Sequence, residues 1–440
     1  MSEARRDWIA AAGAPLRGRL RVPGDKSISH RAVMLGALAE GVTRISGFLE
    51  GEDTRATARV FEQLGVRMER PGQGECIVHG VGLHGLRGSS GVLDCGNAGT
   101  GMRLLAGVLA AQPFDSVLVG DASLSKRPMR RVTEPLATMG ARIDTGSGGV
   151  PPLHIHGGQP LRGIEYALPV ASAQVKSALL LAGLYADGET VLGEPHPTRD
   201  YTERMLAAFG WPIEFSPGQA RLQGGHRLRA TDIDVPTDFS SAAFFLVAAS
   251  IVQGSELCIE AVGINPRRTG LLRALRLMGA DIREENPREL GGEPVADLVV
   301  RHAALHGIDV PEALAPDMID EFPVLFIAAA CARGRTVVRG AAELRIKESD
   351  RIATMASGLR TLGVEIEETP DGALIEGGGA ISGGVVDSHG DHRIAMSFAV
   401  AAQGARGEVC IRDIANVATS FPGFEELATA AGMTLTSVLS

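Results

Sequence analysis

Leu277-Met278-Gly279-Ala280-Asp281-Ile282 contains the end of one element and the start of the next. Leu277 and Met278 close an amphipathic run, and Gly279 suits the left-handed position beyond a helix C-terminus because it has no Cβ. Ala280-Asp281-Ile282 then begins a strand-like alternation. The phrase recurs as Gln63-Leu64-Gly65-Val66-Arg67-Met68, Thr138-Met139-Gly140-Ala141-Arg142-Ile143 and Ala208-Phe209-Gly210-Trp211-Pro212-Ile213. It returns as Thr361-Leu362-Gly363-Val364-Glu365-Ile366 and Ala431-Gly432-Met433-Thr434-Leu435. Successive glycines lie 75, 70, 69, 84 and 69 residues apart. A supersecondary unit repeated six times is the reading this spacing supports.

A second element recurs ahead of each glycine: an apolar helix of small residues, usually followed by a glycine turn and a β-rich run. Ala32-Val33-Met34-Leu35-Gly36-Ala37-Leu38, Met102-Arg103-Leu104-Leu105-Ala106-Gly107 and Ser177-Ala178-Leu179-Leu180-Leu181-Ala182 are three copies. Ala242-Ala243-Phe244-Phe245-Leu246-Val247, Val324-Leu325-Phe326-Ile327-Ala328-Ala329 and Ile394-Ala395-Met396-Ser397-Phe398-Ala399 are the others. Helices apolar on all sides belong in an interior. Each unit therefore reads as strand, buried helix, strand, outer helix, strand. The halves also match, since Val22-Pro23-Gly24-Asp25-Lys26-Ser27 returns 213 positions later as Val235-Pro236-Thr237-Asp238-Phe239-Ser240. The expected fold is α/β, with two similar domains of three units each. Residues 24–237 form one domain, and residues 1–23 plus 238–440 form the other. Interdomain clefts favour ligand sites, so the active site is expected there.

Composition agrees with this picture. The 440 residues carry 43 basic and 52 acidic side chains and are 45% hydrophobic, which are globular proportions. Glycine reaches 56 residues while aromatics are only 4%, as close-packed helices and many turns require. A net charge of −9 argues against a nucleic-acid or anionic-membrane surface while allowing a local basic pocket. The charge-free stretch from Phe239 to Ser255 is too short and too polar to cross a bilayer. Met1-Ser2-Glu3-Ala4-Arg5-Arg6-Asp7 lacks the apolar core of a signal peptide, so a soluble cytoplasmic protein is expected. The five cysteines form no Cys-x-x-Cys pair, which suggests neither a disulfide framework nor a zinc site.

The unusual polar residues gather where the buried helices begin. They are Asp25-Lys26-Ser27-Ile28-Ser29-His30-Arg31, Gly96-Asn97-Ala98-Gly99-Thr100-Gly101-Met102-Arg103, Ala171-Ser172-Ala173-Gln174, Asp238-Phe239-Ser240-Ser241, Asp317-Met318-Ile319-Asp320-Glu321 and Gly390-Asp391-His392-Arg393. Helix starts present unpaired N–H groups and the positive dipole end. Plain capping explains any single start. Six repeated starts with Lys and Arg added favour a small, multiply anionic ligand. Basic clusters at Ser125-Lys126-Arg127-Pro128-Met129 and Arg345-Ile346-Lys347-Glu348-Ser349-Asp350-Arg351 open outer helices, with Lys347 and Arg351 spaced as i,i+4 neighbours. Solvated ion pairs would explain either cluster alone. Asp320 and Glu321, in an apolar stretch, read as a cap or as a general base tuned by its surroundings.

Other candidates carry less. His154 and His156 could share one strand face, but no third metal ligand is evident. Cys95 has no visible base beside it and reads as packing. Gly96-Asn97-Ala98-Gly99-Thr100-Gly101 does not end in Gly-Lys-Ser/Thr, so it is not a nucleotide phosphate loop. No cofactor and no metal are expected.

These residues resemble one family, the 5-enolpyruvylshikimate-3-phosphate synthases. The resemblance runs from about residue 15 to 430 and rests on Pro23-Gly24-Asp25-Lys26-Ser27-Ile28-Ser29-His30-Arg31, Gly96-Asn97-Ala98-Gly99-Thr100, Lys126-Arg127-Pro128-Met129, Lys347-Glu348-Ser349-Asp350-Arg351 and Asp391-His392-Arg393-Ile394-Ala395-Met396. It implies a monomeric carboxyvinyltransferase of the shikimate pathway, acting on shikimate 3-phosphate and phosphoenolpyruvate by addition and phosphate elimination. Neither a covalent enzyme intermediate nor a metal, nucleic acid or membrane partner is implied. Carried over by motif, Lys26 touches both substrates, and Ser27, Arg31, Ser172, Ala173 and Gln174 hold shikimate 3-phosphate, with Arg199 at its phosphate. Phosphoenolpyruvate falls to Gly99, Arg127, Gln174, Arg351 and Arg393, and Asn97 and Lys347 count among the substrate-binding residues. Asp320 orients or deprotonates the 5-hydroxyl, Glu348 exchanges the proton at the vinyl carbon, and Lys26 and Lys347 support the moving charge.

The chain departs from the best-known members in places. Ala418-Thr419-Ser420-Phe421-Pro422 lacks their lysine before Phe-Pro, Glu343 stands where many have asparagine, and Ala173 where many have a second serine. The departures resemble a bacterial subgroup that includes glyphosate-insensitive enzymes, some of which carry alanine at the Gly99 position. Glycine there leaves room for the longer inhibitor. UDP-N-acetylglucosamine carboxyvinyltransferases share the repeats but use a loop cysteine, which Gly120-Asp121-Ala122-Ser123-Leu124-Ser125-Lys126-Arg127 does not contain. A non-catalytic anion-binding relative would lack the acids, whereas Asp320 and Glu348 are present. An RNA-processing relative would want a basic surface, which −9 does not encourage.

Overall fold

A computed structural model describes residues 6–439. The reading of the amino terminus rests on residues 1–7, of which 1–5 lie outside the described residues. Two compact units divide the chain. One comprises Gly24–Val235 with Leu290–Glu293; the other comprises Met1–Pro23, Pro236–Glu289 and Pro294–Ser440.

Helices of the 24–235 unit are α1 (Lys26–Leu38), α2 (Glu52–Gln63), α3 (Gly99–Leu109), α4 (Arg130–Thr138), α5 (Ala173–Gly183) and α6 (Tyr201–Ala208). Those of the other unit are α7 (Phe239–Ile251), α8 (Gly270–Leu277), α9 (Ala315–Met318), α10 (Phe322–Cys331), α11 (Arg351–Thr361), α12 (His392–Gln403) and α13 (Phe424–Ala431). Helices α1, α3, α5, α7, α10 and α12 are interior. Every residue of α7 from Phe239 to Ser250 is buried, as is every residue of α12. The other long helices have one wet side: α2 buries Ala56, Val60 and Phe61 and turns Glu52, Arg55, Arg59 and Glu62 to solvent. No helix among the described residues is long and apolar enough to cross a membrane.

The repeated glycines end the outer helices as the sequence suggests. At the end of α2, the Gly65 N–H donates to the Glu62 carbonyl and the Val66 N–H to the Phe61 carbonyl, both at 3.0 Å. This reciprocal pair satisfies two orphan carbonyls and needs the positive φ of 91° that Gly65 adopts. Gly140, Gly210, Gly279, Gly363 and Gly432 share that backbone region, with φ of 104, 79, 92, 83 and 114°.

Each unit of the repeat owns a small sheet. In one, Glu165–Ala167 pairs parallel with Glu189–Gly193, which pairs antiparallel with Gln219–Gln223, and Ile213–Ser216 closes the far edge. Two sheets borrow their leading strand from the distant end of a unit. Ile233–Asp234 pairs parallel with Glu40–Ser46, ahead of which stands α1. Arg17–Leu20 pairs parallel with Glu256–Gly263, ahead of which stands α7. The two chain passages at Pro23 and Pro236 thus exchange leading strands between repeats that are otherwise alike. The sixth sheet likewise takes Arg6–Ala11 between Val409–Arg412 and Thr434–Leu439, so the chain's start completes its last repeat.

Each unit has its own apolar core. Small residues set how closely interior helices approach. A Cβ on Gly107 of α3 would stand 2.2 Å from the Ala178 carbonyl oxygen of α5. Gly107→Ala should therefore force these helices apart and destabilise the protein by about 1–3 kcal/mol. Urea unfolding would register it as a lower midpoint at unchanged slope; an unmoved midpoint would mean that the α3–α5 contact is slack.

Candidate active site

Within each unit the interior helices begin side by side. In the 24–235 unit, Gln174 at the start of α5 donates to Thr100 Oγ1 of α3 (2.9 Å) and accepts from Arg103 Nη1 (2.8 Å). In the other, the Arg393 guanidinium at the start of α12 donates to the Asp320 carbonyl ahead of α10 (3.3 Å), and Ser240 of α7 contacts Glu321. Capping accounts for part of this polarity. Asp25, Ser172, Asp238 and Asp391 each accept a backbone N–H from the first turn of their helix. The starts of α3 and α10 have no side-chain cap, so Asp320 and Glu321 are not explained that way.

The 24–235 unit carries one group of cations. Lys26 Nζ lies 3.1 Å from Asp53 Oδ2, an acid of the first turn of α2. Arg31 is buried and spent on protein: Nε donates to Thr202 Oγ1 (2.7 Å), Nη1 to the Ser27 carbonyl (2.9 Å) and Nη2 to Ser177 Oγ (2.8 Å). Burial draws its pKa down to about 10, against Glu203, while the nearby charge of Arg199 adds to the fall. Burial, with Lys26 and Arg31 close by, holds His30 well below the usual imidazole range, so it is neutral. Asp25 ties the start of α1 to α6 by accepting from the Tyr201 hydroxyl at 3.1 Å. Arg127, beyond the turn Leu124–Lys126, donates through Nη2 to Asn97 Oδ1 (2.6 Å) and Ser123 Oγ (3.2 Å). A Cβ on residue 99 would lie 3.0 Å from Arg127 Nη1 and 3.3 Å from Arg103 Nη1, so glycine keeps this arginine pair unobstructed.

In the other unit the centre is Asp320. Its Oδ1 is 3.5 Å from Arg351 Nη1 and 3.9 Å from Lys347 Nζ, and its Oδ2 is 3.8 Å from Arg268 Nη1. Arg351 is buried and held on two sides, by Asp391 through Nε (2.8 Å) and by Glu348 through Nη2 (2.6 Å). Burial alone would lower its pKa, but Asp391 and Glu348 outweigh that and raise it, so the charge is permanent. Among the described residues, Arg351 Nη1 finds no hydrogen-bond partner. Lys347 also pairs with Glu343 at 3.3 Å. Lys347 and Arg351 do not share a helix face: α11 begins at Arg351, capped by Asp350, and Lys347 precedes it in extended backbone. The cap stops the helix four residues short of the spacing argument. Ser420 Oγ meets His392 Nε2 at 3.1 Å, and Thr419 is turned back onto the Asn416 carbonyl.

Sequence reasoning passed over Asp53 and Arg268, and it placed Arg103 at a helix start without a partner. Asp53 reads as an ordinary first-turn acid, and Arg103 and Arg268 reach their partners only through tertiary contacts. Cys95 is packed in the interior, and burial pushes its thiol far above the ordinary range. His156 pairs with Asp144 at 2.7 Å; among the described residues no cluster of three potential metal ligands occurs.

The family model described as EPSP synthase (3-phosphoshikimate 1-carboxyvinyltransferase) matches residues 10–427. A 3-phosphoshikimate 1-carboxyvinyltransferase of Xanthomonas euvesicatoria pv. vesicatoria is 70% identical over 435 residues, covering 99% of both chains. One from Xanthomonas campestris pv. campestris strain 8004 is 70% identical over 437 residues, covering 99% of this chain and all of the relative (100%). The solved EPSP synthase of Acinetobacter baumannii superposes with a TM-score of 0.88 at 53% identity, over 99% of this chain and 100% of that one. A match of this extent, on a chain built of six such repeats, makes this protein a member of the EPSP synthase family.

Proposed function

We propose that this chain transfers the carboxyvinyl group of phosphoenolpyruvate to the 5-hydroxyl of shikimate 3-phosphate and releases phosphate. The observation that carries the reading is Asp320, a carboxylate ringed at 3.5–3.9 Å by Arg351, Arg268 and Lys347 in a member of this family. Two anionic substrates must be brought together, and arginine forks suit carboxylate and phosphate alike.

In the proposed sequence the 5-hydroxyl oxygen bonds to the central carbon of phosphoenolpyruvate while its methylene carbon takes a proton. The tetrahedral adduct then expels phosphate with the electrons of the C–O bond, and a proton leaves the methyl group to restore the vinyl. Asp320 accepts or orients the hydroxyl proton. Glu348, a partly exposed carboxylate already bonded to Arg351, serves the methylene carbon. Lys26 and Lys347 offset charge as phosphate departs. Arg127, Arg351 and Arg393, with Asn97, Gly99 and Gln174, receive phosphoenolpyruvate. Ser27, Ser172, Ala173, Gln174 and Arg199 receive shikimate 3-phosphate. Arg31, with every guanidinium nitrogen bonded to protein, contributes by fixing the Ser27 carbonyl and hence the first turn of α1.

The direct test is phosphate release with both substrates in the presence of a chelator. Release that requires both and survives chelation is expected; release with the UDP-sugar instead, or none with either acceptor, would overturn the reading. Asp320→Asn should keep both substrates bound but lose about 10²- to 10⁴-fold in turnover, as loss of a general base does. Near-normal turnover would remove Asp320 from that role. Arg127→Ala should weaken phosphoenolpyruvate far more than shikimate 3-phosphate in direct binding, and equal weakening would contradict its assignment.

A further inference from the structure

Beside Asp320 lies a buried carboxyl group that the reaction above does not use. Glu321 is the residue before α10 and is inaccessible to solvent, and its Oε2 has no hydrogen-bond partner among the described residues. Its Oε1 contacts Ser240 Oγ of α7 and stands 3.6 Å from Arg268 Nη1 and 4.0 Å from Arg393 Nη1 of α12. Arg268 is equally enclosed. It donates through Nη2 to Ser240 Oγ (2.7 Å) and Asp238 Oδ1 (3.1 Å), while its Nη1 faces Glu321 and Asp320 together. One guanidinium nitrogen is thus shared by two neighbouring carboxylates, one of them within reach of Lys347 and Arg351 and the other buried.

We propose that Glu321 is a positioning residue that acts on Asp320 through Arg268. By drawing Arg268 toward itself and Ser240, and by placing a second negative charge beside Asp320, it keeps Asp320 from being neutralised by its cations and leaves it able to take a proton. This rests on the assignment of Asp320 as the proton acceptor. Three elements besides its own face Glu321 with charge or hydroxyl: the segment before α8 with Arg268, α12 with Arg393, and α7 with Ser240. Burial pushes the Glu321 carboxyl upward and Asp320 adds to this, while Arg268, Arg393 and Ser240 oppose it. A carboxyl group held between burial and two guanidinium groups responds to small changes around it.

The experiment is the pH profile of kcat/KM for shikimate 3-phosphate in Glu321→Gln, which keeps shape and hydrogen-bonding capacity and removes the charge. With Asp320 as the proton acceptor, the acidic limb follows its protonation and should move to lower pH by about 0.5–1 unit, with KM for phosphoenolpyruvate little changed. Glu321→Asp should restore most of the original profile. A uniform loss of rate at all pH values, with the limb unmoved, would mean a merely structural role and would overturn the proposal. Should Glu321→Gln not fold, Ser240→Ala provides the same sign of shift, smaller, because it withdraws a donor from Glu321 and loosens Arg268; an unmoved limb there is equally fatal. The two readings fail separately. If Asp320→Asn retains turnover, the assignment of Asp320 is wrong; if it abolishes turnover while neither variant moves the limb, only the role of Glu321 is.

Discussion

An α-helix with no polar side must be enclosed all the way round, and six such helices organise this molecule. Nothing on the flank of α7 or α10 can face water, so strands and amphipathic helices must surround them. The amino ends are different. The first peptide N–H groups of any helix lack intrahelical partners, and the dipole there is positive. Polar side chains therefore collect at the starts of α1, α3 and α5 in one unit and of α7, α10 and α12 in the other. The repeat places the starts of each set side by side, which turns a packing constraint into a chemical surface.

At those starts, capping and charge placement are not alternatives. Asp391 accepts the Arg393 N–H that opens α12 and also grips the Arg351 guanidinium through both oxygens. Asp238 caps α7 and holds Arg268, and Asp25 caps α1 and holds Tyr201. A carboxylate has enough lone-pair sites to do both, so each cap also holds a second polar side chain at a helix start. Asp320 is different because it precedes a helix start without a side-chain cap and faces Arg351, Arg268 and Lys347 at 3.5–3.9 Å.

The topology adds a constraint of its own. Arg17–Leu20 and Ile233–Asp234 trade places as leading strands, and Arg6–Ala11 completes the last sheet. Each unit therefore depends on chain from far away in sequence. The passage at Gly24 is tight enough that a Cβ there would overlap the Gly47 carbonyl oxygen.

Much of this architecture was legible along the chain. The helix-ending glycines and the runs without a polar side are local patterns, governed by backbone geometry and by the exclusion of apolar surface from water. They specify the six repeats, the interior helices and the helix starts at which Lys26, Gly99, Gln174, Asp320 and Arg393 stand. The extended residue at Lys347 was missed because a cap three residues later, at Asp350, overrode an apparent helical spacing. Which carboxylate faces which cation was not legible at all. Asp53 against Lys26, Arg103 against Gln174, and Arg268 among Asp238, Asp320 and Glu321 each join residues on different elements, and no periodicity records such a meeting. The kinds of side chain that arrive at the helix starts follow from the chain alone, because helix ends and apolar faces are local. How their charges are shared follows from the packed fold, because it depends on distances of a few ångströms across neighbouring helices.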